Sequence, residues 1–125
     1  MTNPSPVPRL TDIIEAIELI NIEMSGLTLE AYDADRRKQW LIERGVEIIS
    51  EASRHLPVEI KERHPEIPWQ KVAGIGNVLR HNYERVSNNV LWRVVIDELP
   101  ALETLCRAEL AAETEREQKR KHSGL

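Results

Sequence analysis

Three side chains able to hold a phosphate or move a proton fall within five consecutive positions of this sequence: Asn77, Arg80 and His81. On a helix starting near Trp69, Val72, Ile75, Leu79, Tyr83 and Val86 share one side, and Asn77, Arg80, His81 and Glu84 cluster on the other. One face packs, and the other presents a histidine beside an arginine. A histidine takes or gives a proton near neutral pH, and a guanidinium holds phosphate oxygens and the charge that builds on them during transfer. Those two groups suffice for metal-free RNA cleavage, in which the RNA's own 2′-hydroxyl attacks the neighbouring phosphate. The same neighbours also make an ordinary solvated helix face, and the pattern alone leaves both readings open.

The elements that would position these groups are helices. Leu10, Ile13, Ile14, Ile17, Ile20 and Met24 recur at helical spacing, with Thr11 or Asp12 as cap and Ser25-Gly26 as stop. Thr28 is placed to cap a second, long helix in which Trp40, Leu41, Val46, Ile48, Ile49, Ala52 and Leu56 recur up to Pro57. Pro57, Pro65 and Pro68 leave room for one short turn of helix around Val58 to Arg63 and then a connector. The motif helix is expected from Trp69 to about Val86, followed by a turn at Ser87, Asn88 and Asn89. Val90 to Glu98 is apolar enough for a buried helix, and Pro100 either kinks it or opens a further helix through Leu110. With no strand signal and no repeat, the pattern predicts an all-α antiparallel bundle of four to five helices. Residues 1–8 are expected as a flexible lead, 9–112 as the single helical domain, and 113–125 as a charged, frayed tail without an apolar face.

Bulk composition narrows the class further. Apolar residues make up 41% and charged residues 30% of the chain, the balance of a folded protein rather than a disordered one. With three Trp, two Tyr and no Phe, the core has to be built from Leu, Ile, Val and Ala. A net charge of −4 supplies no global positive field, so any RNA contact has to come from a local patch or a dimer cleft. Cys106 is the single cysteine, which excludes an intramolecular disulfide and a cysteine-cluster metal site and suits a reducing cytoplasm. Met1 to Pro8 carries no apolar run of signal-peptide length, and no 18 apolar residues occur together, so neither secretion by that route nor a membrane span is expected.

The stretch from Ile67 to Leu99, IPWQKVAGIGNVLRHNYERVSNNVLWRVVIDEL, resembles the signature of the HepT-like HEPN ribonuclease toxins. Upstream, ERGVEIISEA, Glu43 to Ala52, resembles that family's long second helix, so the likeness spans roughly residues 9 to 110. It implies an all-α bundle of HEPN type that forms a homodimer with its active site in the cleft between protomers. It also implies a bacterial toxin, an endoribonuclease without cofactor or metal, whose partner is a MntA-like nucleotidyltransferase antitoxin. The family motif has an Arg followed by Asn, then His after three more residues and Tyr two beyond. Asn77, His81 and Tyr83 match the last three positions, and Gly76 stands at the Arg position.

The family's Arg orients the scissile phosphate and stabilises its transition state, which Gly76 does not do. Arg80 offers a guanidinium from about one turn further along, although a fork aimed from a new origin need not reach the same phosphate. Two outcomes follow: a relocated Arg with activity retained, or a degenerate ribonuclease that serves as an RNA- or protein-binding module. Gly74 and Gly76 together cost a helix interior about 2 kcal/mol relative to two alanines. Close approach of another backbone, such as that of a dimer partner, would account for them, as would a local break in the helix. In the family the antitoxin adenylylates the motif Tyr, which is Tyr83 here; phosphates added beside His81 would repel RNA and block the cleft. Alternatively, Tyr83 sits at the edge of the apolar face with its hydroxyl in water or on a polar partner.

Glu51 is expected to pack inward and, by resemblance, to orient His81 or Arg80; the plainer alternative is a rim position paired with Arg54 or Arg44. Trp69 and Trp92 are expected in the core. His55 and His64, without acidic or Cys ligands at metal spacing, are expected at the surface, and no metal site is expected. Lys71, Arg85 and Arg93 are candidates for a basic rim around a dimer cleft, and Lys119 to Lys121 for an auxiliary RNA contact.

Overall fold

A computed structural model describes residues 5–81 and 88–123 of the chain. Among them are seven α-helical segments, α1 (Val7–Met24), α2 (Leu29–Asp33), α3 (Arg36–Arg54), α4 (Val58–Arg63), α5 (Trp69–His81), α6 (Asn88–Arg93) and α7 (Leu99–Ser123), with a π-helical turn at Val94–Glu98 joining the last two. The described residues contain no strand, and the architecture is the expected all-α bundle.

Helix α1 buries the apolar stripe read from its spacing, with Leu10, Ile13 and Ile17 inaccessible to solvent. It starts earlier than Thr11 or Asp12 would have it: Val7 is the first helical residue, its amide donates to the Ser5 hydroxyl (3.2 Å), and Pro8 sits in the first turn. A proline there costs nothing, since the amide it lacks would be unpaired anyway. Gly26, at φ 71°, supplies the left-handed turn that ends the helix.

Thr28 caps a helix as expected, accepting from the Ala31 amide (3.1 Å), but that helix is the short α2. The chain breaks at Ala34, and the long helix restarts at its own cap, where Asp35 accepts from the Lys38 amide (3.1 Å). Gln39 closes the corner by donating to the carbonyls of Tyr32 (2.8 Å) and Asp33 (2.9 Å). Trp40 and Leu41, though part of the apolar repeat read for the long helix, are exposed, and the Arg36 guanidinium lies over the Trp40 ring, 5.6 Å from its centroid. The buried stripe of α3 is Ile42, Val46, Ile49, Ser50, Ala52 and Ser53.

Helix α3 packs between α1 and α5, and α1 packs against α7. Both neighbours run antiparallel to α1. Lys38 pairs with Glu23 (3.1 Å) while a Cβ on Gly45 would lie 2.8 Å from Ile20 Cδ1, and Arg107 pairs with Glu18 (2.7 Å) while Asn21 donates to Glu103 (3.5 Å). The Gly45 contact shows how closely α1 and α3 approach. Helix α4 is tied across the bundle by the Arg63 guanidinium, which donates to the largely buried Glu109 carboxylate on α7.

Pro100 sits in the first turn of α7, the second of its two expected placements. Its ring would collide with the carbonyl of Ile96 in a regular helix, and the wide turn before it, where the Leu99 amide reaches back to Val94, removes that collision. Beyond Leu110 the helix continues to Ser123, so the segment from Glu113 to Ser123 is helical rather than frayed. No helix among the described residues is long and apolar enough to cross a membrane.

Candidate functional site

The motif segment forms α5, which is continuous through Gly74 and Gly76 and carries Arg80 and His81 as its last two residues. Val72, Ile75 and Leu79 make its packed face as expected, and Asn77 is exposed. Asn77 and His81 stand four positions apart, one helical turn, so their backbone positions share a side of α5. Tyr83, Glu84, Arg85, Val86 and the expected turn at Ser87 lie outside the described residues. Asn88 belongs to α6 rather than to a turn.

Lys71 at the start of α5 pairs with Glu98 (3.2 Å) in the π turn. Helix α5 packs against α3, and α6 packs against α2 and α3. In α6, Trp92 lies against the wholly buried Tyr32 of α2, with ring centroids 5.8 Å apart and planes tilted by 40°. The Tyr32 hydroxyl has no hydrogen-bond partner among the described residues, and burial first, then the charge of Glu43, pushes its phenol well above the usual range.

Ser50 reaches the motif helix from α3, and neither periodicity nor the motif comparison singled it out. Its side chain is fully buried; Oγ donates to the Ala73 carbonyl (2.8 Å) and accepts from the Gly76 amide (3.3 Å). Gly76 is buried at this junction, so the close neighbour at that glycine is α3 of the same chain. No helix break accompanies either glycine. Gly74 has a different setting, because a Cβ there would meet nothing within 4 Å.

Glu51 does not pack inward. It is exposed and pairs on its own helix with Arg54 (3.0 Å) and His55 (3.0 Å). The His55 ring and then Arg54 hold its carboxyl below the usual carboxylate range. The rim alternative stands, since Ser50, not Glu51, carries the inward direction one residue earlier.

Two further placements differ from expectation. His55 is exposed, but His64 is only half exposed, with its Nε2 buried 3.9 Å from Glu109, because the connector folds back under α7. Lys71 spends its charge on Glu98 and adds little to a basic rim, whereas Arg93 is exposed. Trp69 and Trp92 are partly buried against the core as expected, Trp69 donating its indole N–H to the His64 carbonyl (3.0 Å).

An all-α bundle carrying an Asn-x-x-x-His turn on one helix is the setting in which relatives are found. The chain belongs to the HepT-like ribonuclease family, whose model matches residues 13–109. It is 41% identical over 93 residues to a protein of Thermococcus cleftensis named "Probable ribonuclease HepT", covering 74% of this chain and 84% of that one. A protein of Caldanaerobacter subterraneus with an RNase designation of the same provisional kind is 32% identical over 99 residues, covering 79% and 88%. Another RNase so designated, from Methanocaldococcus jannaschii, is 29% identical over 91 residues. No solved structure gives a significant match.

Proposed function

We propose that this protein is a metal-independent endoribonuclease, the toxin of a bacterial toxin–antitoxin pair, acting in the cytoplasm as a homodimer. The observation that carries the reading is the family membership together with His81 and Asn77 one turn apart at the end of α5. In the reaction, a ribose 2′-hydroxyl loses its proton and its oxygen bonds to the adjacent phosphorus. The bond from phosphorus to the 5′-oxygen breaks, and a proton is delivered to that leaving oxygen. His81 serves as general acid or base, Arg80 holds the phosphate in place of the family's Arg, and Asn77 positions it. The products are a 2′,3′-cyclic phosphate and a 5′-hydroxyl, and no cofactor is consumed. A nucleotidyltransferase antitoxin adenylylates Tyr83, the phenol oxygen bonding to the α-phosphorus of ATP as pyrophosphate leaves, and the added negative charge repels the RNA backbone.

The test is cleavage of a defined RNA in EDTA with analysis of the new ends. Cyclic phosphate and 5′-hydroxyl ends are expected; 3′-hydroxyl and 5′-phosphate ends would overturn the mechanism.

Gly76 favours a second reading, in which the dimer grips RNA or its partner without cutting. The buried Gly76 amide is held by Ser50, and no guanidinium originates there. On this reading Gly76→Arg creates cleavage where the parent has none. On the first reading it gains nothing. On either reading it lowers stability, because an Arg side chain has to leave a buried position against α3. A cleavage assay on that variant, under urea-free conditions in which it is folded, separates the two.

A further inference from the structure

We propose that Ser50 is a positioning residue for the motif helix: its buried hydroxyl, bridging the Ala73 carbonyl and the Gly76 amide, sets the rotation and depth at which α5 presents Asn77 and His81. A buried hydroxyl is costly unless satisfied, and here the donor and an acceptor site are both used by the neighbouring helix rather than by α3 itself. The two partners lie three residues apart on one turn of α5, so the pair resists both sliding and rolling of that helix, which one contact would not. Elsewhere the α3–α5 contact is made by apolar side chains such as Val46, Ile49, Val72 and Ile75, which line a cavity of about 20 Å³ and carry no directional preference. Gly76 donates its amide to that hydroxyl, and Asn77 is the next residue. His81 lies five residues beyond Gly76, about 7.5 Å along the helix axis, so a small roll at the junction is carried into the site. Misplacement by about 1 Å costs on the order of 100-fold in rate.

Ser53 supplies a matched control. It is as buried as Ser50 and one turn away, but its Oγ donates to the Ser50 carbonyl (2.7 Å) within α3 and, among the described residues, makes no hydrogen bond to α5. Ser50→Ala and Ser53→Ala in the full chain therefore remove comparable buried hydroxyls, and only the first releases the motif helix. Both should lower the urea midpoint. Only Ser50→Ala should move the NMR signals of the His81 imidazole and of the amides from Asn77 to His81, and lower kcat roughly 10- to 100-fold with KM within about twofold. Ser50→Cys, which keeps a weak donor, should recover part of the loss.

Unchanged His81 signals in Ser50→Ala, or equal changes in both alanine variants, would overturn the proposal. Its catalytic consequence rests on the nuclease reading, but the NMR comparison does not. A parent that fails to cleave RNA would sink that reading while the His81 signals still decide the role of Ser50.

Discussion

Two carboxylates on α3, Glu43 and Glu51, lie two turns apart on one helix and are shifted in opposite directions. Glu43 is half-buried, and burial first, then the charge of Glu47, raises its pKa, with Arg36 pulling the other way. Glu51 is exposed, and His55 and Arg54 hold its pKa low. The difference comes from flank and end. Glu43 lies near the buried Tyr32 of α2, whereas Glu51 sits near the other end of α3 beside Arg54 and His55. Perturbed carboxylates collect where burial and like charge coincide. On α3 that place is Glu43, not the residue that the motif comparison pointed to.

The sharpest way to break the comparison is to show that either carboxylate outweighs the packing between them. Ile49→Ala, at a site 2% exposed, should cost about 2–5 kcal/mol in urea unfolding, more than any change at Glu43 or Glu51. A smaller loss would mean that the α3 core is looser than its burial implies.

Next in size is Glu43→Gln, which should raise the urea midpoint at pH 7. A pKa raised on folding means that the folded chain binds the proton more tightly than the unfolded chain. Glu43 therefore favours folding least once pH has risen through its folded value, and the gain from Gln should fade as pH falls below the ordinary 4.5. A lower midpoint at pH 7 would show that the charge has a partner.

The smallest effect belongs to Glu51→Gln. A lowered pKa contributes stability above the unfolded value that is lost as pH falls through the folded one, so the variant should be slightly less stable at pH 7 and no different in strong acid. Half-molar salt should erase even the neutral-pH difference, because the pairs are exposed.

Much of this fold was legible in the sequence. The stripe from Leu10 to Met24, the Gly26 stop and the Pro57 boundary each rest on local rules, and each is where the spacing put it. The break at Ala34 was not, because Thr28 and Asp35 are both good caps and periodicity alone does not say that both are used. The helical tail from Glu113 lacks an apolar face, but it continues a formed helix with Glu, Arg, Gln and Lys, so no new nucleus is needed, and Arg116 pairs with Glu113 (2.7 Å).

For the candidate site, spacing placed Asn77 and His81 one turn apart, and the helix keeps them so. The support from α3 was harder to see. The one available clue to Ser50 was a hydroxyl inside the apolar run of Ile48, Ile49 and Ala52, and its partners, Ala73 and Gly76, are known only once the helices are packed.

The central claim is that His81 cleaves RNA although glycine occupies the motif Arg position. Its most direct test is incubation of total cellular RNA with the purified protein in EDTA, beside a His81→Ala variant of unchanged helical circular dichroism. The account predicts cleavage by the parent and none by the variant. Equal cleavage by both, or none by a parent verified as a dimer, would contradict it.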